Sequence, residues 1–317
     1  MSTAVEFRKV DVVYPRHQGR GAAKRVRDAL DRLDSGATRE QIAAELDVTV
    51  GVSAASLHVA PGEICVVMGL SGSGKSTLLR TANGLTPATR GTVLLSREGD
   101  SLEITSCDAA SLCKARRERI SMVFQQAGLL PWRTVEENVG LGLELRGESR
   151  PVRDRVIAEK LELVGLAAWA KHRIDELSGG MQQRVGLARA FATEADVLLM
   201  DEPFSALDPL TRLRLQNELC LLQERVRKTI LFVSHDMDEA LRIGDRIAIM
   251  EQGRIVQTGT PQQIILSPAH PRVAEFVEHM NPLTALRTAA VLRALGEPAS
   301  RADAAVSTAE PPPAPGA

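Results

Sequence analysis

The residue pattern with the clearest chemistry in this sequence is G-x-x-x-x-G-K-[S/T], present at residues 69–76 as GLSGSGKS. We call these residues the phosphate loop, because such glycines let backbone N–H groups point toward phosphate oxygens while the following helix start adds a positive dipole. We expect Lys75 to reach the β- and γ-phosphates and the Ser76 hydroxyl to ligate Mg²⁺. The predicted phosphate contacts are Gly69, Ser71, Gly72, Ser73, Gly74, Lys75, Ser76 and Thr77.

Two further groups stand at the ends of apolar runs. Asp201 and Glu202 follow the run VLLM at 197–200, and open α/β sheets bind ligands at such strand ends. We expect Asp201 to hold Mg²⁺, directly or through water, and Glu202 to polarise the water that attacks the γ-phosphate. His235 follows the run TILFV at 229–233, and for this histidine we predict a contact with the γ-phosphate.

A second anion-binding helix start is predicted at Leu177-Ser178-Gly179-Gly180, which we call the serine–glycine turn. A chain with one phosphate loop and one such turn can use both if it pairs with a second copy. We therefore expect a two-fold dimer in which Ser178, Gly179 and Gly180 of each chain complete the site of the other.

The elements that must position these residues alternate between strands and helices. Short continuous apolar runs predict buried strands at 64–68, 197–200 and 229–233. Helical patterns lie at 75–83, 181–192 and 211–226. This alternation indicates an α/β fold with a mostly parallel sheet covered on both faces.

The composition is that of a globular protein and excludes several classes. Of 317 residues, 44% are hydrophobic and 25% charged, and the net charge is −1. With two Trp, one Tyr and six Phe as well, neither a polyanion-binding nor a base-stacking surface is expected, so no nucleic-acid partner is predicted. No apolar run reaches the roughly 18–20 residues of a membrane span, and the N-terminus, with Glu6, lacks a signal core.

The cysteines are predicted to be reduced, because they form no Cys-x-x-Cys pair and have no histidine at zinc-finger spacing. They are Cys65, Cys107, Cys113 and Cys220.

Residues 22–47 resemble an insertion. A basic amphipathic stretch at 23–33 is followed by Thr38 and Gln41 at the spacing of a capping box, which predicts two helices whose charges form a solvated face. From Glu297 the chain is rich in Ala, Pro and Ser and is expected to be disordered. We predict one domain over 1–283 and a short C-terminal segment at 284–317.

In their order along residues 5–280, these motifs resemble the ATP-binding subunits of ABC transporters. The resemblance adds Gln125, within MVFQ at 122–125, and Asp208, within SALD at 205–208. It implies that residues 1–283 form an ABC ATPase domain, with a P-loop ATPase core that has a mostly parallel sheet, an antiparallel β part and an α-helical signature subdomain at about 126–184. ATP and Mg²⁺ would lie between two chains, and closure of the dimer would drive a membrane permease.

The resemblance also implies roles for single residues. Gln125 would sense Mg²⁺ and the attacking water, Asp208 would lie in the loop that crosses the dimer interface, and Tyr14 would stack on adenine. Residues 22–47 lengthen the usual span between Tyr14 and the phosphate loop, so ordinary core packing is the alternative for Tyr14. The signature sequence has Met181 where glutamine is commoner, which affects helix contacts rather than the backbone of the turn.

The family implies partners and a location. They are a second copy of the chain, two transmembrane permease subunits and, indirectly, a periplasmic or lipid-anchored quaternary-amine-binding protein. The chain would lie at the cytoplasmic face of the bacterial inner membrane as a peripheral subunit.

Three features resemble the subgroup for quaternary-amine uptake: the helical insertion, MGLSGSGKS at 68–76, and Met181 after the serine–glycine turn. The stretches 125–135 and 279–283 are similar to its choline members. Many betaine members carry a pair of C-terminal CBS modules that respond to ionic strength. The residues after Leu283 are too few for that pair, which favours choline over glycine betaine.

Two other functions stay open at this point. One is an ABC ATPase with a non-transport role on ribosomes or DNA, although the single phosphate loop and the absence of a heptad insertion argue against it. The other is a nucleotide-dependent regulatory subunit without turnover, against which Glu202 and His235 argue.

Overall fold

The structure is a computed structural model that describes residues 3–279 apart from residues 20, 98 and 206. The predicted disordered segment from Glu297, the segment 284–317 and Ala206 therefore lie outside the described residues.

The described strands, in chain order, are β1 (Val5–Pro15), β2 (Val48–Val59), β3 (Ile64–Met68), β4 (Arg90–Arg97), β5 (Asp100–Glu103), β6 (Ile120–Val123), β7 (Val197–Asp201), β8 (Thr229–Ser234), β9 (Arg246–Glu251) and β10 (Arg254–Gly259). The described helices are α1 (Ala22–Asp34), α2 (Arg39–Leu46), α3 (Lys75–Thr81), α4 (Ala109–Glu118), α5 (Val135–Val139), α6 (Leu141–Leu145), α7 (Arg150–Leu163), α8 (Gly179–Ala192), α9 (Pro209–Val226), α10 (Met237–Ile243), α11 (Pro261–Leu266) and α12 (Pro271–Glu278).

The larger sheet has the order β10-β9-β3-β8-β7-β6. Its strands from β9 to β6 are parallel, and β10 pairs with β9 in the antiparallel sense. The three predicted strands are β3, β7 and β8, which are buried along their whole length because both faces are covered. The predicted α/β fold with a mostly parallel sheet is confirmed.

The two faces of this sheet belong to different cores. Val66 and Met68 of β3 pack in a core that includes Val185 of α8, whereas Cys65 and Val67 pack in a core that includes α3. The second core is closed by an antiparallel sheet with the order β2-β1-β4-β5. Helix α3 is therefore held between two sheets, and its start, at the phosphate loop, is fixed from both sides.

The predicted insertion forms two helices at the tip of the β1–β2 hairpin. Pro15 pairs with Val48 in the last register position, and α1 and α2 lie between them. We call α1 and α2 the helical hairpin. Ile42 of α2 and Ala29 of α1 are fully buried in a small separate core against strand residues such as Val50. The predicted capping box is present at the start of α2.

Two predicted helices begin two residues earlier than the apolar pattern indicated. α8 starts at Gly179 because the Ser178 hydroxyl caps it, and α9 starts at Pro209 because Asp208 caps it. Cap residues and a proline at the first position set these starts. Helix α3 ends at Thr81, two residues earlier than predicted, where the threonine hydroxyl bonds the Leu78 carbonyl oxygen.

The segment 126–184 contains α5, α6 and α7, two short 3₁₀ turns at Ala167–Trp169 and Ile174–Glu176, and the start of α8. Helix α8 continues beyond residue 184 into the core of the parallel sheet. The proposed domain and subdomain bounds therefore stay a prediction. Within the described part of the chain, no helix combines the length and apolarity needed to cross a membrane.

All four cysteines are free, as predicted. Burial raises the pKa of the Cys220 thiol to about 11 and raises the pKa of Cys65 as well. Both side chains are therefore protonated thiols near neutral pH, as expected of core residues.

Candidate nucleotide-binding site

The parallel register brings the predicted site residues to one edge of the sheet. Met68 at the end of β3 pairs with Ser234 of β8, and Val233 of β8 pairs with Asp201 at the end of β7. The residues that follow these strands therefore leave the sheet side by side. They are Gly69 of the phosphate loop, His235 and Glu202, at the edge where α/β sheets bind ligands.

Backbone crowding explains why the phosphate loop needs its glycines. Gly74 has φ +103°, and a Cβ there would lie 2.3 Å from the carbonyl oxygen of Gly51 in β2. A Cβ on Gly69 would lie 2.2 Å from the carbonyl oxygen of Met250 in β9. Any side chain at either position would displace the backbone, so the loop is fitted between β2 and β9.

Lys75 is the buried cation of the loop, with 5% of its surface exposed. Its Nζ atom donates to the carbonyl oxygens of Gly69 at 2.8 Å and Leu70 at 3.0 Å. Burial lowers the pKa of Lys75, and the nearby Glu202 and Asp201 carboxylates oppose that shift. The ammonium group is thus held inside the loop, at the point where phosphate oxygens would accept the same hydrogen bonds.

Asp201 joins the phosphate-loop helix to the end of β7. The carboxylate is fully buried, and its Oδ1 accepts from the Ser76 hydroxyl at 2.6 Å. Its Oδ2 accepts from Arg80 Nη2 at 2.9 Å. The sequence analysis did not include Arg80, because no local pattern shows that α3 packs against the end of β7.

Ser76 and Asp201 form an oxygen donor set that fits Mg²⁺, which takes one or two protein ligands and completes its shell with water and phosphate oxygens. No cluster of three His, Cys, Asp or Glu side chains suited to a metal occurs in the residues the structure describes.

Two of the other predicted residues contact the Glu202 carboxylate. Gln125 Nε2 donates to Glu202 Oε2 at 3.2 Å, and His235 Nδ1 lies 3.3 Å from the same oxygen. The backbone of Glu202 is left-handed, with φ +46°, and its N–H donates to the carbonyl oxygen of Val233 at 3.1 Å. Such a conformation is uncommon for a residue with a side chain and is often found at functional sites. No local sequence pattern predicts this conformation.

Tyr14 lies beside the phosphate-loop helix despite its distance in sequence. A Cβ on Gly51 would lie 3.1 Å from both the Tyr14 ring and the Thr77 methyl group, so these three residues meet. The Tyr14 side chain is 39% exposed and is not part of the buried core. This exposure does not fit the core-packing alternative, while the adenine contact stays a prediction.

These side chains line one cavity of about 700 Å³, within the range of small-molecule sites. Its lining residues are Tyr14, Arg39, Thr49, Gly51, Leu70, Ser71, Gly72, Gly74, Lys75, Ser76, Thr77, Gln125, Glu202 and His235. Gly69, Ser73 and Asp201, which the sequence also predicted, are not among the lining residues. Ser73 is buried, and its hydroxyl has no hydrogen-bond partner among the described residues.

The serine–glycine turn and Asp208 do not line this cavity within one chain. The Ser178 hydroxyl accepts from the Met181 N–H at 3.4 Å, and Asp208 Oδ1 accepts from the Thr211 N–H at 3.0 Å. A Cβ on Gly180 would lie 3.4 Å from Leu207, so the turn lies next to the start of α9. The two predicted interface elements are therefore adjacent to each other.

Helix α8 also holds the segment around Gln125. The Gln183 side chain donates to the Phe124 carbonyl oxygen at 3.5 Å. Arg189 donates to the carbonyl oxygens of Ala127 at 2.6 Å and Gly128 at 2.9 Å. These contacts, which no local sequence pattern reveals, connect the helix of the serine–glycine turn to a residue that contacts Glu202.

The sequence of this chain is similar to those of known proteins. Residues 52–205 match the family model described as ABC transporter. The chain is 49% identical over 258 residues to the glycine betaine/carnitine transport ATP-binding protein GbuA of Listeria monocytogenes, covering 81% of this chain and 64% of GbuA. It is 46% identical over 265 residues to the trimethylamine N-oxide transport system ATP-binding protein TmoW of Ruegeria pomeroyi, covering 84% of this chain and 76% of TmoW.

A solved structure shares the fold. It is the dimeric post-hydrolysis state of the ATP-binding cassette MJ0796 bound to ADP and Pi. The TM-score is 0.67 at 30% identity, and the match covers 81% of this chain and 98% of that chain.

The fold and the site therefore define an ATP-binding cassette. The chain belongs to the ABC transporter family, and it is similar at 46–49% identity to the ATP-binding proteins of betaine and trimethylamine N-oxide transport systems. The resemblance drawn from the sequence motifs is confirmed. The chain spans about 64% of the length of GbuA.

Proposed function

We propose that this chain hydrolyses ATP and thereby energises an importer for solutes with a trimethylated nitrogen. The observation that carries the proposal is the meeting of Gln125, Glu202 and His235 on one carboxylate oxygen, beside the phosphate loop. A carboxylate there can accept a proton from water, which is what phosphoanhydride hydrolysis requires.

ATP is the ligand that the lining residues suit. Lys75 and the backbone N–H groups of the phosphate loop would bind the phosphates, and Tyr14 would stack on adenine. Ser76 and Asp201 would hold Mg²⁺, whose charge would offset the negative charge of the β- and γ-phosphates when it is bound. The similar relatives are ATP-binding proteins by name, and the similar cassette MJ0796 is bound to ADP and Pi, which supports this ligand.

Hydrolysis would use the residues around Glu202 as follows. Water attacks the γ-phosphorus, its proton passes to the Glu202 carboxylate, and the bond to the β-phosphate oxygen breaks to give ADP and phosphate. Gln125 would orient the water through its contact with Glu202, and His235 would contact the γ-phosphate. Lys75 would neutralise charge that builds on the phosphate oxygens.

The active state would be a two-fold dimer. The serine–glycine turn is a capped helix start with open space at Gly179, and it lies beside Asp208 at the start of α9. In a dimer this surface of one chain would complete the nucleotide site of the other, as an isologous interface allows. The similar cassette MJ0796 is described as dimeric.

A groove next to the Gln125 segment is suited to a permease contact. Its volume is about 850 Å³, and it is lined by Trp132, which is 67% exposed, and by charged residues that include Glu136 and Lys171. Because Arg189 of α8 holds residues 127 and 128, movement of α8 would be passed to this groove. The chain would then lie at the cytoplasmic face of the membrane, bound to two permease subunits. A periplasmic or lipid-anchored binding protein would deliver the solute to those subunits.

The solute is proposed from two sources. The relatives' names specify glycine betaine, carnitine and trimethylamine N-oxide, which share a nitrogen with three methyl groups. Choline has the same group, and the sequence stretches at 125–135 and 279–283 favour it. We therefore propose choline first and glycine betaine second.

Reconstitution of the chain with its permease and binding protein in liposomes tests the function. Choline or glycine betaine, added on the side of the binding protein, should stimulate ATP hydrolysis several-fold. Each solute should accumulate on the opposite side of the membrane only when ATP is present. The Glu202→Gln complex is the matched control and should bind ATP without accumulating solute. Hydrolysis that no methylated amine stimulates, with no uptake, would contradict the transport role and favour a non-transport ATPase.

A further inference from the structure

Arg39 of the helical hairpin reaches the phosphate loop. It is the first residue of α2, and its Nη1 atom lies 3.3 Å from the carbonyl oxygen of Gly72. The side chain lines the cavity that also contains Lys75 and Tyr14. It also lines a neighbouring cavity of about 420 Å³ that extends to Arg272. The guanidinium therefore forms part of the wall between the hairpin and the loop.

Helix α2, which carries Arg39, is held in place by its cap and by its buried side chain. Thr38 and Gln41 form a complete capping box at the start of α2, and Ile42 is fully buried against strand residues such as Val50. The capping box and this small core fix both the start of the helix and its orientation on the sheet. Arg39 is thus presented from a folded element rather than from a mobile arm.

Arg39 differs from neighbouring arginines, whose charges are paired with carboxylates. Arg32 of the same hairpin forms an ion pair with Glu45, and Arg90 pairs with Asp34 and Asp11. Among the described residues, no carboxylate forms an ion pair with Arg39. Burial lowers the pKa of Arg39, opposed only by the charge of Glu40. A half-buried guanidinium that stays charged gains most from an anion placed against it.

We propose that Arg39 is a nucleotide-binding residue whose guanidinium pairs with the phosphates of the bound nucleotide. The proposal rests on the proposed function, since it takes ATP as the ligand of this cavity. It gives the helical hairpin a role at the site: the hairpin supplies a second cation, in addition to Lys75, from outside the phosphate loop.

Phosphate is a better partner for Arg39 than the base. The Nη1 atom contacts Gly72, whose neighbours provide the N–H groups that bind phosphate, so the guanidinium lies level with the loop. At 3.3 Å this hydrogen bond to a carbonyl is long for an N–H donor and is easily exchanged. Guanidinium groups pair with phosphate oxygens through two parallel N–H bonds, which are stronger than bonds to a neutral carbonyl.

Calorimetric titration of the full-length chain with ATP, ADP and adenosine tests the proposal. Arg39→Ala should weaken binding of ATP and ADP by about tenfold, the effect of losing a charge-assisted contact, and leave adenosine binding unchanged. Arg39→Lys should restore part of the loss. Arg27→Ala removes a charge from an exposed position of the same hairpin and should change none of the three affinities.

The outcomes separate this proposal from the proposed function. If the wild-type chain binds no ATP, the proposed function fails. If it binds ATP and Arg39→Ala binds equally well, only the role of Arg39 is refuted. An equal loss for ATP and adenosine would assign Arg39 to the base and also refute phosphate pairing. Thermal unfolding of Arg39→Ala and wild type without nucleotide checks that any loss of binding is not caused by misfolding.

Discussion

Glu202 is the residue on which hydrolysis should depend most. It combines a left-handed backbone with contacts to Gln125 and His235. Glu202→Gln keeps the size of the side chain and removes its capacity to take a proton. We expect ATP turnover to fall by about 10²- to 10⁴-fold, because general-base catalysis contributes that much, while ATP binding persists and traps a closed dimer.

A phosphate-release assay and size-exclusion chromatography with ATP measure these two effects. Glu118→Gln, an exposed position on α4, is the matched control and should hydrolyse ATP like the wild type. Wild-type turnover in Glu202→Gln would remove Glu202 from the catalytic role.

The ion pair between Arg80 and Asp201 should stabilise the fold as well as orient the site. Asp201 is fully buried, whereas the Arg80 side chain is 43% exposed. Arg80→Met would leave a buried carboxylate with only the Ser76 hydroxyl as its side-chain donor. We expect a loss of about 2 kcal/mol in the free energy of unfolding, because a buried charge without its partner is costly, although the exposure of the Arg80 side chain reduces that cost.

A double-mutant cycle with Asp201→Asn in urea isolates this pair. If the carboxylate charge causes the loss, Arg80→Met should cost about 1 kcal/mol or less when residue 201 is asparagine. Equal losses in both backgrounds would show that Arg80 stabilises α3 by packing alone.

At the scale of elements, α9, α10 and the end of β8 are joined through a buried carboxyl group. Glu239 Oε1 accepts from Gln216 Nε2 of α9 at 2.9 Å, and Glu239 Oε2 accepts from the Ser234 hydroxyl. Arg212 of α9 also lies 3.5 Å from Asp236. The start of α9, where Asp208 lies, is therefore tied to the residues on both sides of His235.

This buried carboxyl group should make stability depend on pH. Burial raises the pKa of Glu239 above its ordinary 4.5, with a smaller contribution from the Asp236 charge, while Ser234, Gln216 and Arg212 oppose the shift. A folded-state pKa above the unfolded one means that the folded chain holds the proton more tightly. Glu239 therefore contributes stability at low pH that is lost as the pH rises through the folded pKa.

Glu239→Gln should remove that dependence, since glutamine has no proton to lose. Its Oε1 can accept from Gln216, and its Nε2 can donate to the Ser234 hydroxyl, which reverses the direction of that bond. In urea unfolding at about pH 5 and about pH 8, the variant should gain stability relative to wild type at the higher pH. If wild type and variant differ in the free energy of unfolding by the same amount at both pH values, Glu239 is not the source of the pH dependence.

Elements and site residues differ in how far the sequence could predict them. Strands β3, β7 and β8 were predictable because burial on both faces demands continuous apolar runs, and Gly69, Glu202 and His235 follow them directly. The helix starts at Gly179 and Pro209 were missed because caps, rather than apolar periodicity, set them.

Other site features depend on contacts between distant segments. Arg80 reaches Asp201 only because α3 packs against the end of β7, and Gln183 reaches Phe124 only because α8 packs beside β6. The left-handed backbone of Glu202 likewise follows from its bond to Val233 on the neighbouring strand. No local pattern in the sequence encodes such distances, so these features could not have been predicted.

For the whole molecule, the proposed dimer is the feature with the largest functional consequence. The serine–glycine turn is exposed at Ser178 and Gly179, outside the cavity of its own chain. In the Glu202→Gln background, Ser178→Arg should prevent ATP-dependent dimerisation, because its bulk and charge would occupy the space of the partner's nucleotide. ATP binding to the phosphate loop of the single chain should persist.

Light scattering with and without ATP measures the mass, and calorimetry measures the binding. Ser35→Arg, the same substitution in the exposed turn between the two hairpin helices, is the control and should dimerise like Glu202→Gln alone. A dimer that forms equally well with Ser178→Arg would place the interface elsewhere on the surface.

Because Pro15 pairs with Val48, the strand residues before and after the helical hairpin are close in space although they are far apart in the sequence. The chain leaves the sheet after Pro15 and returns to it at the partner position, so what lies between is an appendage whose ends are already joined by the ladder. A longer turn between α1 and α2, at residues 35–37, should leave the Tyr14 ring beside Thr77 and Arg39 beside Gly72. A fluorescent reporter domain grafted in this turn would therefore lie near the nucleotide site without disturbing the catalytic edge of the sheet.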